Sequence, residues 1–202
     1  MNRRDVLKNL GLSIGYAVAT PSVMSLLQSC KTEIDEWKPV FFSADESVVV
    51  RNIIDLILPT TTKSPGALDV NVPEFLDLYI HKTYDNKQQE SYKEGLSHLL
   101  KALQVTDQGT GFLKTGDYDT LLAKYLKAEK ALQDKYKSHN KDGDNHDAMT
   151  FKALDKLRSV AVWSYKTSKE IGLNVLSYDP IPGSQKGCIS VEEATGGKAW
   201  SL

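Results

Sequence analysis

Apolar residues recur at helical spacing in five separate stretches of this chain, and none of them alternates over the length of a strand. In the first, Val50, Ile53, Ile54, Ile57 and Leu58 share one helical face. Ser43-Ala44-Asp45-Glu46 before them is a capping box, its serine hydroxyl and glutamate carboxylate placed to satisfy free amides at the helix start, and Pro59 stops the helix. A loop, PTTTKSPGALDVN, leads to a second stripe of Val72, Phe75, Leu76, Tyr79 and Ile80, with Asn71 to Glu74 as its cap. Tyr92, Leu96, Leu99, Leu100 and Leu103 form a third, and Tyr118, Leu121, Leu122 and Tyr125 a fourth that follows Asp117. The longest runs through Phe151, Leu154, Leu157, Ala161 and Tyr165, with Asp147 as its expected cap and Gly172 as a left-handed stop. The pattern predicts an all-α fold, a single bundle of about five helices over residues 43–172.

Residues 173–202 break that pattern. Pro180, Pro182, Gly183, Gly187, Gly196 and Gly197 forbid a long helix, whereas Tyr178, Ile181, Ile189, Val191, Trp200 and Leu202 are too apolar for a solvated tail. An extended arm, packed either on its own bundle or on a partner, satisfies both facts.

The N-terminus carries targeting information. In MNRRDVLKNLGLSIGYAVATPSVMSLLQSC, Arg3 and Arg4 head a twin-arginine pattern in which Val6 stands where Phe is more common. The run from Leu10 to Leu27 is interrupted by Gly11, Ser13, Gly15, Thr20 and Pro21, and is too short and too weakly apolar for a stable membrane span. Leu27-Gln28-Ser29-Cys30 resembles a bacterial lipobox, with Gln28 departing from the small or β-branched residue usual there. The features predict a signal peptide over residues 1–29, export through the twin-arginine translocase, acylation of Cys30 and a charged tether over residues 30–42. The expected product is a periplasmic or cell-envelope lipoprotein, attached to the membrane by its lipid.

Removal of residues 1–29 leaves about 170 residues, one domain of ordinary size. The whole chain has formal charge −1, and the removed piece carries Arg3, Arg4, Lys8 and Asp5, a net +2, so the remainder stands at about −3. Such a balance gives no electrostatic reason to expect nucleic acid as a partner. With Cys30 acylated, Cys188 has no partner within the chain; a small buried or contact residue is favoured there over a reactive or intermolecular thiol.

Catalytic and cofactor signatures do not emerge. Gly109-Thr110-Gly111-Phe112-Leu113-Lys114 begins like a dinucleotide fingerprint, but Lys114 replaces the third glycine and no apolar strand precedes it, so a loop between helices is expected. NKDGDNHDAMT offers Asp142, Asp144 and Asp147 to a calcium ion, yet lacks the sharp-turn glycine, and Phe151 stands where a loop begun at Asn140 needs its bidentate glutamate. His81, His98, His139 and His146 show no ligand spacing, and neither CxxCH nor a GxSxG elbow occurs. No catalytic, cofactor-binding or metal-binding residue is assigned to this chain.

A resemblance supplies what these residues leave blank. FFSADESVVVRNIIDLILPTTTKSPGALDVNVPEFLDLYI, with Leu58-Pro59-Thr60 and Pro65-Gly66-Ala67, and the ending YDPIPGSQKGC…TGGKAWSL together resemble the gluconate 2-dehydrogenase subunit 3 family. The resemblance implies a non-catalytic small subunit of a membrane-associated sugar or sugar-acid dehydrogenase. It implies a catalytic partner of the glucose-methanol-choline type that holds FAD, and often a cytochrome c subunit with haem c. The small subunit then serves maturation, twin-arginine co-export and tethering of the large one. A partner interface is expected around Pro59, Thr60, Pro65, Gly66 and Ala67 and along the arm at Tyr178, Cys188 and Trp200. The alternative is a free-standing envelope lipoprotein that binds a small ligand or has a structural role.

Overall fold

The computed structural model describes residues 37–105, 109–139, 145–181, 183 and 187–201. Arg3, Arg4, Cys30 and the Asn140 to Asp144 stretch read for calcium lie outside them. The chain divides into residues 1–38 and 39–202, and every element below belongs to the second unit.

The fold is all-α. Its helices are α1 (Ala44–Ile57), α2 (Val72–Thr83), α3 (Asn86–Ala102), α4 (Thr115–Leu126), α5 (Lys130–Ser138) and α6 (His146–Thr167), followed by a π-helical turn (Ile171–Val175) and a one-turn helix α7 (Val191–Thr195). No strand occurs among the described residues.

Local chemistry sets the helix starts. The capping box of α1 forms as read, with the Ser43 amide donating to Glu46 Oε2 at 2.7 Å and the Glu46 amide to Ser43 Oγ at 3.3 Å. Glu46 also receives Lys93 of α3, so the cap ties two helices together. A second box, Asp85 with Gln88, starts α3. Asn71 does stand at the start of α2, but in left-handed backbone and without a side-chain cap bond; Pro73 in the first turn needs no amide partner. Asp147 does not cap α6. Asn145 does, accepting the Ala148 amide at 3.2 Å, because the helix begins one residue before Asp147. Nor is Gly172 a left-handed stop: α6 ends at Thr167, and Gly172 lies inside the π turn.

The 22-residue α6 is the axis of the bundle, in contact with each of α1 to α5. Its buried Ala148, Phe151, Leu154, Leu157 and Ala161 meet Val50, Ile53 and Ile54 of α1, Leu76 and Ile80 of α2, and Leu96 and Leu99 of α3 in one core. All four residues of the α4 stripe are buried as well. Close approach of α3 to α6 depends on Gly95, where a Cβ would stand 3.2 Å from that of Ala153. Helix α5 had no counterpart in the sequence pattern: none of its side chains is fully buried, and it meets the core through Tyr136, packed on Tyr125 and Phe151.

The second stripe is the one whose orientation differs. Val72, Leu76 and Ile80 are buried, but Phe75 is 44% exposed, and the buried face of α2 instead includes Pro73 and Asp77. Asp77 takes that place because its carboxylate accepts three backbone amides in the chain entering α1: Val40 at 2.6 Å, Phe41 at 2.9 Å and Phe42 at 2.8 Å. A buried carboxylate persists when its charge is met by such donors.

Candidate functional site

The loop from Leu58 to Asp69 carries the most specific residues of the sequence, and it is a closed structure. The Ala67 amide donates to the Leu58 carbonyl at 2.8 Å, and Ala67 is fully buried. Asp69 sits at the centre: Thr60 Oγ1 donates to its Oδ2 at 2.6 Å and the Gly66 amide at 2.7 Å. The Thr60 hydroxyl, then the Gly66 amide, hold this carboxyl below the usual aspartate range, against a smaller opposing effect of burial. Glycine is required at 66, since a Cβ there would lie 2.6 Å from both the Thr60 amide nitrogen and its Oγ1. Tyr165 of α6 donates its hydroxyl to the Pro65 carbonyl at 2.6 Å and anchors the loop to the bundle. Gly66 and Ala67 are therefore interior, while Pro59 and Thr60 are on the surface.

The arm is folded back on itself. Ser177 pairs with Trp200 in a parallel bridge, with the Ser177 amide donating to Ala199 O at 2.9 Å and the Ser201 amide to Ser177 O at 2.8 Å. Its apolar side chains stay outside: Tyr178 is 50% and Trp200 52% exposed. Cys188 is an exposed thiol in left-handed backbone, which corrects the buried alternative for that residue.

A second exposed surface was not legible in the sequence. Phe75 stacks on Tyr79 with ring centres 5.7 Å apart, and Trp163 of α6 packs against both at 6.0 and 5.2 Å. Trp163 is 40% exposed, and Leu78 of α2 is exposed too. Aromatic side chains grouped on a surface are the composition of recognition hot spots, because they supply large contact area at low conformational cost. The only advance signal was a second apolar edge on α2 beside Asp77.

The polar groups make paired contacts. His98 and His146, 48 residues apart, face one another with Nδ1 atoms 3.0 Å apart. Their ring centres are 5.2 Å apart, longer by close to two ring radii, so the nitrogens point at one another, and the tautomers decide which donates. Tyr125 donates its hydroxyl to Asp147 Oδ1 at 2.7 Å, and Lys124 meets the same oxygen at 3.1 Å. Those two bonds, the tyrosine's first, hold the Asp147 carboxyl below the usual range. Among the described residues no three His, Cys, Asp or Glu side chains converge as a metal-binding group, and no helix is long and apolar enough to cross a membrane.

Comparison with known proteins gives one result at the level of family. The profile for Gluconate 2-dehydrogenase subunit 3 matches residues 44–183, which takes in α1 to α6, the π turn and the first part of the arm, and leaves Cys188 and Trp200 outside the matched span. No curated protein and no solved structure matches the chain. With more than half its length matched, the chain belongs to the gluconate 2-dehydrogenase subunit 3 family.

Proposed function

We propose that this chain is the non-catalytic small subunit of a membrane-associated, FAD-dependent sugar or sugar-acid dehydrogenase. The family match over residues 44–183 carries the reading. The catalytic partner is of the glucose-methanol-choline type and holds the FAD; a cytochrome c subunit is the natural electron acceptor. The exposed aromatic group of Phe75, Tyr79 and Trp163, together with Pro59, Thr60 and the arm at Tyr178, Cys188 and Trp200, forms the docking surface. Exposed apolar clusters of this kind mark interaction sites.

In this reading residues 1–29 are a twin-arginine signal headed by Arg3 and Arg4, shared by both subunits because the partner is exported already folded around its cofactor. Cys30 then carries the lipid, and residues 30–42 form a tether whose last three residues are held by Asp77. Residues 43–172 are the bundle and residues 173–202 the arm. The substrate is set by the partner.

Isolation of the tagged chain from its native membrane tests the proposal. A second, larger polypeptide and the absorbance of bound oxidised flavin are expected. A single polypeptide without flavin would overturn the reading in favour of a free-standing lipoprotein.

A further inference from the structure

Beside the Gly95 to Ala153 contact, α3 and α6 part around a partly open cavity of about 140 Å³. Leu96, Leu99, Met149 and Leu157 make its walls apolar. Its size is close to that of an engineered apolar cavity of ~150 Å³ that takes up benzene.

Polar side chains interrupt the lining at Ser91, Tyr92, Lys152 and Lys156. Tyr92 is only 5% exposed, and its hydroxyl has no hydrogen-bond partner among the described residues. That hydroxyl has almost no accessible surface, so it lies behind the cavity wall and offers a ligand no contact. Lys156 holds its ammonium 5.1 Å from the centre of the Tyr92 ring and 5.2 Å from that of Tyr84. No carboxylate pairs with it among the described residues. Burial against the rings holds this ammonium below the ordinary lysine range, as expected for a cation that lacks its anion. The other rim lysine, Lys152, is already engaged by the His139 carbonyl.

We propose that the cavity between α3 and α6 binds a small organic monocarboxylate with a benzene-sized apolar body, its carboxylate meeting the Lys156 ammonium at the rim. The apolar walls refuse a polyhydroxylated acid, and the volume refuses a long acyl chain. Binding here is independent of docking to a dehydrogenase.

Benzoate is the probe, titrated into the full-length chain labelled with ¹³C in its methionine methyl groups. Met149 lines the cavity and is one of three methionines. A saturable shift of its resonance is expected with benzoate, a response at least about tenfold weaker with uncharged benzyl alcohol, and none with acetate or gluconate. Lys156→Met, at a side chain that reaches solvent, keeps the fold and weakens benzoate about tenfold while leaving benzyl alcohol unchanged. Absence of any saturable benzoate shift up to on the order of 10 mM overturns the proposal. So does equal binding of benzoate and benzyl alcohol, or a benzoate affinity indifferent to Lys156→Met.

Discussion

The Asp77 carboxylate and the Phe42 amide, 35 residues apart in the chain, meet at 2.8 Å inside the bundle. With the amides of Val40 and Phe41 on the same group, this contact orients α2 and fixes the chain that enters α1. Asp77→Ala leaves three amides without their acceptor and is expected to cost about 3 kcal/mol or more in unfolding free energy. Asp77→Asn keeps one acceptor oxygen and costs less. Urea denaturation of the three proteins checks the order, and equal midpoints would show the contact to be energetically idle.

Gly66→Ala pushes a methyl group into the Thr60 backbone, and the loop has no slack because Tyr165 and Asp69 hold it from two sides. A loss of about 1 to 3 kcal/mol is expected, with far-UV circular dichroism unchanged. Thermal unfolding reads it.

Asp69 gives the loop a defined acid response. Its folded pKa is lowered, so its contribution to stability is present above the unfolded value and disappears as the pH falls through the lowered one. The Gly66 amide resonance should therefore titrate with a midpoint below the ordinary aspartate value of about 3.9. Asp69→Asn should abolish that titration, whereas a midpoint at or above the ordinary value would contradict the bonding described.

Trp163→Ala removes the centre of the exposed aromatic group. On its own the chain should lose little stability, since Trp163 is half in solvent. Affinity for the dehydrogenase should fall about tenfold or more, the usual scale for an aromatic hot spot. Quantitative pull-down against the wild type measures it, with deletion of residues 173–202 in parallel to apportion the interface between helix face and arm.

Replacing both Arg3 and Arg4 by Lys should hold the small subunit and its dehydrogenase together in the cytoplasm. Fractionation with an activity assay checks this, and undiminished export of the dehydrogenase would refute shared transport.

Much of the bundle was legible because the dominant interaction is repetitive. Val50, Ile53 and Ile54, or the four residues of the α4 stripe, are buried where their spacing puts them. The same logic failed for α2, where Phe75 and Tyr79 extend the apolar period but a single aspartate outweighs them. Asp77 is buried by a demand for three hydrogen bonds that arises 35 residues upstream, and no local pattern encodes it. Trp163, His98 and His146 were silent for a related reason: their partners lie on other helices, and only the packing of α6 brings them together. Helix α5 escaped notice because periodicity reports burial, and none of its side chains is fully buried.

The Asp77 contact also determines how the molecule bears a mechanical load. Tension applied through the residues before Val40 reaches Asp77 before it reaches the first turn of α1, and three hydrogen bonds to one rigid helix share it. The Ser43 cap is thereby shielded, so a pull from the N-terminal side moves the body as a unit before it unwinds any helix.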